Sequence, residues 1–367
     1  MEGLAPTGKF FENEAAEAKV ENWDTNKYLQ HYYPELDLER VLPILERLRA
    51  GQEKKNFSKT DDVCMLLGVT PSVADKIGPV YNMIFLHGIE QQYSIDTETL
   101  ENLCILEFQT KVAKRLLKDY PEDHIEVLDI GGGPSLYQHI ALSLEAGSIV
   151  HSEFLKENRD EIQRWLNGES SHNWDSYFLA IQKLLKSDDE YQRIITDNLS
   201  SENDKIKNNA EKIARVLNGS LDDFKNHLRE CIGKNVVFVD VSKEDLALAN
   251  PEKQYDVVST GQVLTANFTL ESISRDKQFW VNAMKHTMNK VKAGGHLVIT
   301  AVRNAKFYSV GDKQVEASSI DASDMAKLLT EDGLFEVLDF EEIEGGDRVK
   351  NGYDGMMFVH AKKRPNL

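Results

Sequence analysis

Two features of the chain combine residue types and spacing suited to ligand chemistry. The first is Leu128-Asp129-Ile130-Gly131-Gly132-Gly133-Pro134-Ser135-Leu136-Tyr137-Gln138, an apolar run ending in an acid, then three glycines, a proline and a helical pattern. The second is Glu153, at the end of the next apolar run, residues 148–154. A glycine-rich turn after a strand lets backbone approach a ligand closely. Pro134 suits the first turn of a helix, where its missing N–H would be unpaired anyway. A carboxylate at the end of the second strand can accept hydrogen bonds from both hydroxyls of a ribose. Loop and acid together imply a ligand that contains a nucleoside. No Gly-Lys-Ser/Thr follows the loop, so it is not a Walker A loop. A dinucleotide fingerprint needs a small residue three positions after Gly133, and Leu136 stands there. S-adenosylmethionine (SAM), a nucleoside without a pyrophosphate, fits this loop better than a dinucleotide.

The elements that must position these residues are legible as texture. Residues 1–20 read as loosely attached. LDLERVLPILERL (36–48) carries Leu at helical spacing, and the helical pattern continues through VCMLLGVTPSVADKIGPVYNMIFLHGIEQQ and TLENLCILEFQTKVAKRLLKDY. Residues 1–120 are therefore expected to form an all-helical N-terminal cap or lid. From Ile125 onward, short apolar runs alternate with helical stretches: IEVLDI, GSIVHSEF, NVVFVDV, YDVVST, GGHLVITAV, FEVLDFEEI and GMMFVHAKK. Strand–helix alternation implies an α/β, Rossmann-like, mostly parallel sheet covered on both faces, here over residues 121–367. The last two strands lack a helix between them. They are expected to close the sheet as a hairpin with one antiparallel edge strand. Residues 176–231 are charged and helical in pattern, read as a solvated insertion, with a substrate-gating lid as the sharper alternative.

Composition narrows the partners. The 367 residues allow one large domain or two smaller ones. A formal net charge of −18 argues against nucleic acid, whose phosphates need a basic face. No run of about 18 apolar residues suggests a membrane span, and the polar, acidic start does not resemble a signal peptide. Cys64, Cys104 and Cys231 are widely spaced, which argues against a disulfide framework or a cysteine-built zinc site and for a reducing, cytoplasmic setting. No metal centre is expected. The expected partner is a small-molecule substrate, and the oligomeric state, monomer or dimer, is left open.

Further blocks narrow the reading. DIGGGPSLYQ (129–138) is joined by EFLKENRDEIQRWL (153–166) with Asn173-Trp174 after it, by Lys27-Tyr28-Leu29-Gln30-His31-Tyr32-Tyr33, by Lys306-Phe307-Tyr308-Ser309-Val310-Gly311, and by the closing segment 355–363. Over residues 26–33 and most of 125–363, the chain resembles the class I SAM-dependent methyltransferases that include the nicotinamide, phenylethanolamine, indole-amine and thioether methyltransferases. The resemblance implies SAM as cofactor. It implies that Gly131, Gly132 and Gly133 line SAM, the first two along its methionine part, with Thr260 nearby. Tyr28, Tyr33 and Tyr137 would close over the cofactor and hydrogen-bond its carboxylate. Glu153, in place of the family's Asp, and Asn158 would hold the ribose, and Asp240 and Val241, ending the third strand, the adenine.

The acceptor side departs from that pattern. The family's Ser-x-x-Cys-Leu-Asp/Glu block is here Ser259-Thr260-Gly261-Gln262-Val263-Leu264, so Leu264 replaces the acid, and Thr300–Ala305 carries no second acid. This speaks against nicotinamide or a catecholamine as the substrate. Candidates for the chemistry are Tyr28, Gln262 and Asp354, the last as an amine contact; Leu264, Arg303 and Tyr308 are candidates for substrate binding. Arg303 suits an anionic group on the substrate. Thr265 and Asn267 would help orient a polar acceptor, while Lys306 reads as a surface residue and His87 as a structural histidine of the cap. The expected activity is methyl transfer to a small molecule, nitrogen first, then sulfur or oxygen. The competing expectations are SAM cyclisation or aminocarboxypropyl transfer, both releasing methylthioadenosine, and a non-catalytic SAM-binding protein.

Overall fold

Apolar residues on successive strand positions point to opposite faces, and here both faces are buried. Val127, Val257, Met356 and Phe358 enter one core; Leu128, Val258, Met357 and Val359 enter the other. Strands apolar on both sides need a helical layer on each. The computed structural model describes residues 24–122, 125–260, 276–310, 313–344 and 352–365.

The strands are β1 (Lys54–Asn56), β2 (Tyr81–Phe85), β3 (Ile125–Ile130), β4 (Ala146–Ser152), β5 (Val236–Val237), β6 (Tyr255–Thr260), β7 (Val291–Arg303), β8 (Phe307–Val310), β9 (Lys313–Glu316), β10 (Phe335–Glu344) and β11 (Gly355–Lys363). Nine of them form one sheet in the order β1-β2-β10-β11-β7-β6-β3-β4-β5, while β8 and β9 form a separate ribbon. From β3 the chain moves outward through β4 to β5, then returns to lay β6 and β7 on the other side of β3. The strand order therefore reverses between β3 and β6, the place where open α/β sheets leave a crevice beyond the strand ends.

The described helices are α1 (Thr25–Tyr32), α2 (Leu38–Arg49), α3 (Thr60–Leu67), α4 (Pro71–Ile77), α5 (Leu86–Tyr93), α6 (Thr97–Asp119), α7 (Tyr137–Ile140), α8 (Lys156–Leu166), α9 (Asp175–Lys186), α10 (Asp189–Leu199), α11 (Asp204–Asn218), α12 (Leu221–Ile232), α13 (Lys277–Asn289) and α14 (Ala322–Glu331). Helices α3, α4, α13 and α14 cover the face of Leu128; α1, α2, α6 and α8 to α12 share the core of Val127. No single described helix is long and apolar enough to cross a membrane.

Four expectations need correction. Residues 1–120 are not all helical. Tyr81–Phe85 joins the main sheet, parallel to β10 with Tyr81 opposite Phe340, and β1 pairs with it. A five-residue apolar run between helices has no period of its own, and pairing decides it. Tyr81 is held by its ring against Phe340, 5.4 Å between centroids, and by its hydroxyl, which donates to Glu342 Oε2 at 2.5 Å. The final antiparallel strand is not an edge. β11 is buried between β7 and β10, antiparallel to both, as its apolar stretch from Gly355 to Ala361 demands. The strand β5, expected to run to Val241, is only two residues long, so Asp240 and Val241 lie in the turn beyond it. The segment 176–231 is not wholly solvated. Tyr177, Phe178, Ile181 and Leu185 of α9 are core residues.

A buried ion cluster joins the N-terminal strands to the rest. Lys54 Nζ of β1 lies 2.9 Å from Glu107 Oε2 of α6 and 2.9 Å from Glu341 Oε1 of β10, and Lys111 pairs with Glu341 as well. Both acids are essentially inaccessible. Removing one partner of a buried pair leaves uncompensated charge, so Lys54→Met is expected to cost roughly 3 kcal/mol in urea unfolding. A loss below about 1 kcal/mol would place the cluster with ordinary surface pairs.

Candidate active site

The glycine loop leaves β3 at the reversal point, and each glycine is there for its own reason. Gly131 and Gly133 have φ of +69° and +61°, in the left-handed region that side chains disfavour. Gly132 is required by packing: a Cβ there would lie 2.1 Å from Asp129 Oδ2 and 2.4 Å from His151 Cε1. All three glycine N–H groups are already committed. Those of Gly131 and Gly132 donate to the Ser152 carbonyl at 2.9 and 3.1 Å, and that of Gly133 donates to Glu153 Oε2 at 3.1 Å. A phosphate cradle needs loop N–H groups aimed outward at the anion. This loop instead offers a shape that permits close approach, with Gln138 Nε2 bracing the Gly132 carbonyl from behind at 2.9 Å.

Glu153 is fully buried, and burial pushes its carboxyl up to about 7 against the N–H groups that pull it down. Oε1 accepts from Leu155 N–H at 2.9 Å and from Asn158 Nδ2 at 3.2 Å, and Oε2 accepts from Gly133 N–H. Each carboxylate oxygen can accept from two donors, so Oε2 has the capacity to take a ligand hydroxyl beside the Gly133 N–H. Asn158 is tied in turn to the start of α1, where Thr25 Oγ1 donates to its Oδ1 at 3.5 Å.

Helix α1 brings its tyrosines over this corner. The Tyr33 ring sits 6.1 Å from Tyr28 and 5.1 Å from Tyr137 of α7, with Trp174 at 5.3 Å and Tyr177 of α9 at 6.3 Å behind it. Burial raises all three site phenols, Tyr28, Tyr33 and Tyr137, above their ordinary value, so they remain neutral hydroxyl donors. Asn102 of α6 fixes the end of α1 by donating to the Tyr32 carbonyl at 2.8 Å. The tyrosine spacing in the sequence marked this cluster. Thr25 lies at the start of α1 itself, and the contributions of Trp174 as a ring partner, Tyr177 and Asn102 come from other segments; none carried a local signal.

The remaining candidates are distributed around the crevice. Thr260 ends β6 in register with Ile130, directly beside the loop. Beyond β5, Val241 is buried, while the Asp240 carboxylate is engaged by the N–H and hydroxyl of Ser242 at 3.0 and 2.6 Å. Arg303 is not available for an anionic substrate group as expected. Its guanidinium is held by Glu342 and by Asp354 Oδ1, the latter at 2.7 Å, since a half-buried cation needs fixed partners. Asp354, the amine-contact candidate, thus pairs with Arg303 and also accepts from Asn304 Nδ2 at 2.9 Å. Tyr308 lies on β8. Gln262 and Leu264, with Thr265 and Asn267, lie outside the described residues.

Beneath the loop is a group that the sequence reading did not single out. Asp129 Oδ1 accepts from Ser259 Oγ of β6 at 2.9 Å, and its Oδ2 lies 3.3 Å from His139 Nε2 and 3.4 Å from His151 Nδ1. Burial would raise the Asp129 carboxyl, but the histidines and Ser259 hold it below its ordinary value. Burial depresses His151 to about 4. The only sequence signal was a histidine two places beyond Tyr137 and another at an inward position of β4.

A family model described as the NNMT/PNMT/TEMT family matches residues 87–196 and 210–364. Phenylethanolamine N-methyltransferase of Macaca mulatta is 23% identical over 242 residues, 65% of this chain and 73% of that protein. Nicotinamide N-methyltransferase of Caenorhabditis elegans is 23% identical, covering 66% and 77%, and indolethylamine N-methyltransferase of Oryctolagus cuniculus is 22% identical, covering 65% and 77%. Among solved structures, an S-adenosylmethionine-dependent methyltransferase of Clostridium acetobutylicum covers 76% of this chain and 97% of its own at 9% identity, with a TM-score of 0.40. The family match spans well over half of the chain and takes in the glycine loop, the acid after β4 and the closing strands; the chain belongs to the NNMT/PNMT/TEMT family of SAM-dependent methyltransferases.

Proposed function

We propose that this enzyme moves the methyl group of SAM onto a nitrogen atom of a small metabolite. The observation that carries the reading is the division of labour at the β3–β4 corner. The glycine N–H groups point inward to protein acceptors, while Glu153 Oε2 has the capacity to take a hydroxyl. Such a corner suits a ribose without a pyrophosphate. Gly131 and Gly132 would border the methionine part of SAM, with Thr260 beside them. Glu153 and Asn158 would hold the ribose, Asp240 and Val241 the adenine, and the hydroxyls of Tyr28, Tyr33 and Tyr137 the carboxylate end.

Bound SAM supplies an electrophilic methyl group: the acceptor's lone pair forms the C–N bond as the C–S bond breaks and its electron pair stays on sulfur. The chain's part is to orient and to exclude water. Tyr28 on α1 and Tyr33, the residue that caps its end, would close the entrance, backed by Trp174 and Tyr177. Arg303 and Asp354 largely offset one another. Neither is assigned as a general base, and the acceptor nitrogen is taken to arrive with its lone pair free. Gln262 is the remaining candidate to orient it, with Leu264 and Tyr308 lining the acceptor. The unpaired Cys64, Cys104 and Cys231 suit a reducing compartment, and we place the enzyme in the cytoplasm.

Incubation with SAM and a panel of amines and heteroaromatic nitrogens is expected to yield S-adenosylhomocysteine and a methylated acceptor by mass spectrometry. Methylthioadenosine as the nucleoside product would instead establish use of the other arm of SAM. Glu153→Ala is expected to raise the SAM Kd about 10- to 100-fold by calorimetry, the range of one charged hydrogen bond; unchanged affinity would remove the carboxylate from the ribose site. Gly132→Ala is expected to abolish SAM binding, because its Cβ would collide with Asp129 and His151. Gly88→Ala on α5, where a Cβ meets nothing within 4 Å, should leave binding intact.

A further inference from the structure

Three ligand-type atoms converge in the buried interior beneath the glycine loop, each from a different element. They are Asp129 Oδ2 on β3, His139 Nε2 on α7 and His151 Nδ1 on β4, and all three residues are fully buried. The separations are 2.9 Å between the two nitrogens, and 3.3 and 3.4 Å from each nitrogen to the oxygen.

A hydrogen-bonded triad accounts for only one of these distances. A charge-assisted N–H···O⁻ bond runs about 2.7–2.9 Å, and both histidine–aspartate separations are longer. A tetrahedral zinc ion with ligands ~2.0–2.1 Å away sets its ligand atoms about 3.3–3.4 Å apart. Two edges of the triangle match that spacing and the third is slightly short.

The proton positions point the same way. His151 Nε2 lies 3.0 Å from the Gly133 carbonyl, which can only accept, so Nε2 carries the proton. In the neutral ring Nδ1 is then a bare lone pair. It faces Asp129 Oδ2, a second acceptor, across 3.4 Å of protein interior. The donors within reach are Gln138 Nε2, 3.5 Å from Asp129 Oδ2, and His139 Nε2, 2.9 Å from His151 Nδ1; a cation between the two acceptors would serve both. His139 Nε2, as a proton donor, would have to divide one N–H between both. Two of the three residues have outer contacts of the kind that orient metal ligands, while His139 Nδ1 has no partner among the described residues: His151 donates its other N–H to a backbone carbonyl, and Ser259 donates to the far oxygen of Asp129.

We propose that Asp129, His139 and His151 bind a divalent transition-metal ion, zinc in the first instance. Two imidazoles and one carboxylate suit zinc, whereas magnesium and calcium take oxygen ligands. Three protein ligands leave the fourth position to water. The ion acts as a clamp. Through His151 it fixes the Gly133 carbonyl, and through Asp129 it joins β3 to Ser259 of β6, on both sides of the strand-order reversal. The expectation of no metal centre rested on cysteine spacing, which does not bear on a histidine–carboxylate site. This inference does not depend on what the crevice above binds.

The test uses the full chain, expressed in zinc-supplemented medium and gel-filtered. Elemental analysis is expected to give about one zinc per chain, and below about a tenth of that in His139→Leu and His151→Val. Circular dichroism reports whether the variants fold. Independently of the variants, wild-type protein refolded with Co²⁺ is expected to show the intense visible absorption of tetrahedral cobalt. Folded wild-type protein without bound metal by both routes overturns the proposal and leaves the hydrogen-bonded triad. Metal retained in both folded variants also overturns it, since the ion then sits elsewhere. SAM affinity is measured in parallel: metal bound without SAM binding counts against the cofactor assignment alone, and SAM binding without metal against this site alone.

Discussion

The structure around the crevice depends on one arrangement, in which β4 hydrogen-bonds the glycine loop after β3 has ended. The Ser152 carbonyl receives two loop N–H groups and Glu153 receives the third. This extends the β3–β4 pairing around a turn that no side chain could follow at Gly131 or Gly133. It settles at once the loop's path, the inward aim of the glycine N–H groups and the orientation of Glu153. Glu153 therefore has a structural bond to the loop, and in the proposed reading its second acceptor capacity would link ribose recognition to loop geometry.

The N-terminal segment has two distinct roles. Its strand β2 and helix α6 complete the sheet and one covering layer, fixed by the buried cluster of Lys54, Glu107, Lys111 and Glu341 and by Phe108 stacked on Phe358. Its first helix lies over the crevice. The two roles meet at Asn102, which joins the rigid α6 to the end of α1 through the Tyr32 carbonyl. The tyrosine closure is thereby held from the cap on one side and from α9 on the other. Arg303 is correspondingly engaged within the protein, between Glu342 and Asp354.

Much of this was legible in the residue order, and the limits have physical reasons. The glycine loop and the acid at 153 could be read because local backbone geometry restricts which residues occupy such positions, and the tyrosines at 28, 33 and 137 because their blocks resemble the family's motifs. The α/β alternation was legible from apolar periodicity. β2 was not, because a short apolar run pairs as a strand only when a partner edge is offered. Nor was the pairing of Arg303 with Asp354, since residues 51 apart meet only when β7 and β11 lie side by side.

The sequence alone thus determined the kind of ligand corner this chain builds, because loop, acid and their spacing are local constraints on backbone and charge. Only the tertiary structure decided where the polar groups are spent. It turned the glycine N–H groups inward, set two candidate substrate residues against each other, and gathered Asp129, His139 and His151 into one buried triangle. Hydrogen bonds and ion pairs are satisfied by whatever lies within about 3 Å, and proximity at that scale across strands is a property of the sheet order, which no local pattern encodes.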